Sequence, residues 1–314
     1  MTLHVGGFTQ FIFWVVVSLN CGVIAPTIAF ASPINLDGPH FISQFTQTGF
    51  IEIVNGRQSK EQIKIFLKKP TTLEVAEQQN KTTASRITIY IEGDGAPWKH
   101  RQVAPYDPTP TSPIGAYLAL ADPNKNIGYL GRPCMYLTTA QLNECPSSLW
   151  TNARFGKEAL FLANRALDDL LEQRGQLFAR EAGPVSLNLV GYSGGGALAA
   201  LLAAQRTDVA CLVTIASPLD IEVWAKLQQV APLSNSFNPA YPSDRLIQIP
   251  QMHWYGAKDR VVPLEAVGRY KNWPQNLDYE SVIRVLPNFN HRNSWVRDWP
   301  ILHSQTCLNE KNDN

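Results

Sequence analysis

Charge is scarce in this chain. Asp, Glu, Lys and Arg make up 17% of its 314 residues, against about a quarter in an average globular domain. The net charge is only +1, and the pairs Lys68-Lys69 and Lys99-His100-Arg101 read as solvated surface rather than as part of a basic patch. Nucleic-acid binding needs clustered Lys and Arg, so no nucleic-acid partner is expected. No Lys follows the glycine cluster Gly194-Gly195-Gly196, which removes a phosphate-cradling P-loop, and the G-x-G-x-x-G dinucleotide fingerprint is missing as well. No second close Cys or His pair completes a zinc set. Neither a metal nor an organic cofactor is therefore expected. Internal repeats and low-complexity tracts are also lacking.

Apolar residues are plentiful. They form 45% of the chain, with 8 Trp, 10 Tyr and 13 Phe, enough for a sizeable core. Residues 8–30 are an interrupted apolar segment that closes in Ala29-Phe30-Ala31 ahead of Ser32. This is the pattern of a secretory signal peptide cut after Ala31, although no Lys or Arg precedes the apolar run. The reading is a signal peptide over 1–31 and an exported, periplasmic or secreted domain over 32–314. A retained membrane anchor is the alternative, since the segment is about long enough to span a bilayer. Gln10, Asn20 and Pro26 interrupt it. Lipidation at Cys21 is a lesser reading, because Asn20 is bulky and polar where a small residue is wanted.

Export changes how cysteine is read. In an oxidising compartment Cys134 and Cys145 are placed to close a short loop, and such a bridge stabilises by roughly 3 kcal/mol. Cys211 opens the apolar run Cys-Leu-Val-Thr-Ile-Ala and reads as an inert buried thiol. Cys307 lies in a polar tail and reads as free.

Along the chain, strand patterns alternate with helical ones. Strands are expected at 41–54, 62–68, 86–91, 126–130, 185–190, 211–216, 251–255 and 281–285, and helices at 114–121, 157–174, 197–205, 262–270 and 294–303. That alternation implies βαβ units, a mostly parallel sheet and a doubly wound α/β layer structure. Residues 218–250 are long for a connection and read as an insertion within one domain.

The stretch Asn188–Ala203 reads NLVGYSGGGALAALLA. Three glycines at a helix start each cost up to about 1 kcal/mol relative to alanine. A G-x-S-x-G element between a strand and a helix explains them: it lifts the Ser193 hydroxyl clear of the sheet at a strained bend. The same bend aims the Gly194 amide and the positive helix end at the place where an oxyanion forms. An unassisted serine is a poor nucleophile, so a base and an orienting acid should follow it in the chain. His291, after a strand and a loop, is the expected base. His253 lies inside a strand and reads as packed, and His303 on the last helix reads as surface. Asp259, in Gly256-Ala257-Lys258-Asp259-Arg260-Val261-Val262-Pro263, is the expected acid. Asp220 is the rival, and a helix N-cap is the plain role for either. The loop Glu92-Gly93-Asp94-Gly95 should supply a second oxyanion donor, the Asp94 amide.

Together the GYSGGG, GAKDRVVP and FNH segments, with EGDG at the oxyanion loop, resemble the α/β-hydrolase superfamily. The phrases DPTP (107–110), YLGRPC (129–134) and WTNARF (150–155) are similar to those of exported bacterial members of unassigned substrate. The resemblance implies an eight-stranded, mostly parallel core and a serine hydrolase mechanism. It departs at Glu92, where many relatives carry histidine. Arg132 and Arg154 either flank the pocket or pair with surface carboxylates. The expected chemistry is hydrolysis of a small-molecule or lipid carboxylic ester. An amidase or peptidase using the same residues and a non-catalytic binding protein on the same fold are the alternatives. A membrane surface enters as a partner if the apolar N-terminus is retained.

Overall fold

The computed structural model describes residue 36 and residues 40–54, 62–71, 85–97, 103–177, 184–241, 243–272 and 282–309. All of them fall in one unit, Asn35–Asn314. The expected signal segment 1–31 lies outside the described residues.

Eight strands form one sheet: β1 (Phe50–Glu52), β2 (Ile65–Lys68), β3 (Ser85–Ile91), β4 (Ile127–Leu130), β5 (Val185–Tyr192), β6 (Val209–Ile215), β7 (Gln251–Gly256) and β8 (Ile283–Leu286). Their spatial order is β1-β2-β4-β3-β5-β6-β7-β8. β2 runs antiparallel to β1 and β4, while every pair from β4 to β8 is parallel. Parallel neighbours need crossover connections, which the helical segments supply.

Side-chain alternation along the strands divides the core into two layers. Ile87, Ile89 and Ile91 of β3 face one side with Leu187 and Leu189 of β5, under the helices Lys157–Leu177 and Gly194–Gln205. Tyr90, Val190 and Tyr192 face the other side, under Phe41–Gln47, Ile114–Ala121 and Trp295–His303. The fold is α/β and doubly wound, as expected.

Three local expectations are corrected. The strand expected over 41–54 is a helix, Phe41–Gln47, followed by the short β1. Phe41 and Phe45, four apart, bury together with centroids 5.0 Å apart and pack on Phe66 and Tyr129. That spacing is one helical turn and not an alternation. The helix expected over 262–270 is a 3₁₀ segment, Leu264–Asn272, kinked at Gly268 with φ +49°. The thiols of Cys211 and Cys307 are neither inert nor free, because they form a disulfide across 96 residues of sequence. The expected Cys134–Cys145 bridge is present.

The segment between β6 and β7 packs back on the domain. It holds the helices Ile221–Leu227 and Asp244–Gln248. Trp224 donates its indole N–H to the Val261 carbonyl at 2.9 Å, and Gln228 donates to the Arg260 carbonyl at 2.9 Å.

Candidate active site

Ser193 sits between the end of β5 and the helix Gly194–Gln205, with φ +51° and ψ −128°. A positive φ is strained for a residue with a Cβ. The glycines on either side of it are tightly packed. A Cβ on Gly191 would lie 2.3 Å from the Gly196 Cα, and one on Gly195 would lie 2.3 Å from the Ile91 carbonyl oxygen. The glycines let strand and helix close to a distance that raises the serine.

The structure brings His291 and Asp259 to it. Ser193 Oγ lies 3.1 Å from His291 Nε2, and His291 Nδ1 lies 2.8 Å from Asp259 Oδ2. These three residues come from positions after β5, β7 and β8, all at the carboxyl edge of the parallel sheet. The Asp259 side chain is fully buried. Its Oδ1 accepts the Val261 and Val262 amides, both at 2.8 Å, which fixes Oδ2 toward the imidazole. With Nδ1–H donating to Asp259, Nε2 is free to accept the serine proton. The His291 carbonyl in turn accepts from Tyr192 Oη at 2.7 Å and Trp295 Nε1 at 3.2 Å.

The rival acid does something else. Asp220 is the N-cap of Ile221–Leu227, accepting the Val223 amide, and also binds Arg269 and Asn238. Burial alone would raise its pKa, but those hydrogen bonds outweigh it and hold it at about 2. His253 is packed, as read: it contacts Thr214 Oγ1 at 2.9 Å and Gln251 Oε1 at 3.1 Å, and burial lowers its pKa to about 3. His303 is not on the surface. Trp295, Trp299, Leu302 and His303 form the inner face of the last helix. That packing turns the imidazole inward to Asn124 and Asp122, at 3.2 Å and 3.4 Å.

The loop after β3 packs on the elbow. A Cβ on Gly93 would lie 3.3 Å from Ser193 Cβ, and one on Gly194 only 2.0 Å from Asp94 Oδ1. Asp94 and Gly194 are thus adjacent beside the serine. Arg132 and Arg154 are buried, and their partner is this same Asp94 rather than a surface carboxylate.

Glu92 is a site residue that sequence reasoning noted only as a departure. Its buried carboxylate accepts the amides of Gly93, Gly115 and Ala116 at 2.9–3.1 Å and the Tyr129 hydroxyl at 3.0 Å. It thereby fastens the loop to the first turn of Ile114–Ala121. Burial raises its pKa, and those donors partly offset the rise. Its partners lie up to 37 residues away, so no local pattern marked them. Among the described residues no group of three or more His, Cys, Asp or Glu is placed to hold a metal ion.

The strand order, the elbow and the position of these side chains define an α/β-hydrolase fold. A model of the FSH1 serine hydrolase family matches residues 143–275, less than half of the chain, a stretch that includes Ser193 and Asp259. Among solved structures, a Mycobacterium tuberculosis puromycin-hydrolyzing peptidase shares 15% identity with a TM-score of 0.51 over 77% of this chain. The chain spans 36% of that peptidase's length. An esterase from Pyrococcus furiosus shares 12% identity with a TM-score of 0.45, over 82% of this chain and 87% of its own. No curated protein sequence matches. These likenesses show the α/β-hydrolase fold.

Proposed function

We propose that the protein is an exported serine hydrolase that transfers the acyl group of a carboxylic ester to water. The observation that carries this reading is the hydrogen-bonded chain from Ser193 through His291 to Asp259. Such a chain on a strained elbow is the arrangement that makes a serine nucleophilic.

Ser193 Oγ attacks the carbonyl carbon while its proton passes to His291 Nε2. The tetrahedral oxyanion is held by the amides of Asp94 and Gly194. As the intermediate collapses, the C–O bond to the alcohol breaks, and His291 returns the proton to the leaving oxygen. Water then attacks the acyl-enzyme carbonyl as His291 takes one of its protons; the C–O bond to Ser193 breaks, His291 returns that proton to Ser193 Oγ, and the carboxylic acid leaves with water's other hydrogen. Asp259 keeps the imidazole in the correct tautomer and stabilises the imidazolium. Removing one oxyanion donor typically lowers turnover on the order of 10²–10³-fold.

Esters are favoured because an alkoxide leaving group asks less of the acid step than an amine. An amidase or peptidase would use the same three residues. Two disulfides support export, since such bonds persist in oxidising compartments. Among the described residues no helix is long and apolar enough to cross a membrane.

A fluorophosphonate probe tests the reading. Labelling is expected at Ser193 and should vanish in Ser193→Ala. Labelling that survives the substitution would put the reactive nucleophile elsewhere and end this reading, and no labelling of the wild type would leave a non-catalytic binding protein instead. Turnover of p-nitrophenyl esters of increasing chain length, set against aminoacyl amides, decides between ester and amide.

A further inference from the structure

A carboxylate is an unexpected neighbour for an oxyanion. Asp94 Oδ1 lies against Gly194, the residue whose amide would receive the negative oxygen of the intermediate. Left bare, this charge would oppose the step that the site promotes. It is not left bare. Arg132 Nη1 lies 2.7 Å from Asp94 Oδ1, and Arg154 Nε lies 3.0 Å from Asp94 Oδ2. The two guanidinium side chains are 3% and 1% exposed, against 13% for Asp94. The carboxylate is thus the most exposed of the three groups, and both cations are buried against it.

Each arginine is itself locked. Arg132 Nη2 donates to the Arg154 carbonyl at 2.8 Å, and Arg154 Nη1 donates to the Thr151 carbonyl at 3.3 Å. Phe155 lies 5.0 Å from the Arg132 guanidinium carbon and 5.5 Å from that of Arg154, and Trp224 lies 5.4 Å from Arg154. Burying two cations is costly, and for Arg154 burial works against the charge while Asp94 supports it. One buried cation would suffice to hold a loop. Two cations on one carboxylate reverse the sign of the cluster.

We propose that Arg132 and Arg154 are positioning residues of the acyl-transfer site: they cancel the Asp94 charge where the oxyanion forms and hold its loop on the elbow. This rests on the hydrolase reading above. The effect belongs to the transition state, in which the oxygen is negative, more than to the neutral bound ester, so it falls on kcat and not on KM.

A double-mutant cycle tests it on the full chain with a p-nitrophenyl ester. R132Q is expected to lower kcat by about tenfold or more, with KM within about twofold. D94N/R132Q removes the carboxylate together with one cation, and is expected to regain most of that loss. A purely structural role, in which the ion pair only holds the loop, leaves the double variant no faster than R132Q, and that result would overturn the proposal. So would a loss carried by KM. If R132Q does not fold, R132K keeps the charge but not the planar fork. Charge cancellation requires R132K to stay within about fivefold of the wild-type kcat, and a folded R132K that loses more overturns it. Wild-type protein that is active but insensitive to R132Q sinks this proposal alone, whereas wild type that the probe never labels sinks the hydrolase reading beneath it.

Discussion

Tyr192 donates its phenolic hydroxyl to the main-chain carbonyl of His291, 2.7 Å away. The residue next to the serine thus holds the loop that carries the imidazole, and the two rings lie 5.4 Å apart. A second tether comes from Trp295, whose indole N–H reaches the carbonyls of Asn290 and His291. The spacing of Ser193 and His291 is therefore set by side chains outside the hydrogen-bonded chain of Ser193, His291 and Asp259.

Tyr192→Phe removes one tether and leaves the other. The expected cost is about 1 kcal/mol in stability, with kcat reduced several-fold because the imidazole is less well placed. Thermal unfolding and steady-state kinetics read the two effects. Unchanged kcat would mean that Trp295 alone suffices.

Gly195→Ala places a methyl group 2.3 Å from the Ile91 carbonyl oxygen and 2.4 Å from that of Glu92. Both obstacles are main chain and cannot swing aside. The variant should lose roughly 3 kcal/mol or more, together with most activity, since β3 and the elbow helix must move apart. Urea unfolding measures the loss.

The Cys211–Cys307 disulfide closes a loop of 96 residues that contains Asp259 and His291. In the chain-entropy account a loop of that length is worth about 4.7 kcal/mol. Cys211→Ala with Cys307→Ala should therefore unfold at clearly lower urea than the wild type. Reducing agent should affect the wild type and leave the double variant's Cys134–Cys145 response as the remainder.

Acid stability has two identifiable contributors. His253 is neutral in the fold down to about pH 3. Unfolded chain takes up a proton on it below about pH 6.5, so stability falls as the pH drops between those values. Asp220 is held at about 2. Its contribution is present above about pH 3.8 and is lost as the pH falls toward 2. His253→Gln should flatten the first window and Asp220→Asn the second, each seen as the pH dependence of the urea midpoint.

Much of this protein was legible in one dimension. Alternating strands and helices imply a parallel sheet, and a parallel sheet puts every strand's carboxyl end on one edge. The GYSGGG elbow and the strand-end placements of Asp259 and His291 follow from that rule, because all of them are local patterns read against a repeating topology. Where local periodicity was ambiguous, as at Phe41 and Phe45, packing against Phe66 and Tyr129 decided for a helix.

Long-range pairings were settled by the fold alone. Cys211 finds Cys307, His303 finds Asp122, and Glu92 gathers the amides of Gly115 and Ala116. Asp94 takes both arginines. Burial leaves a charged or polar group stable only beside a partner of matching chemistry, and which partner is near depends on how the layers stack, not on any spacing along the chain.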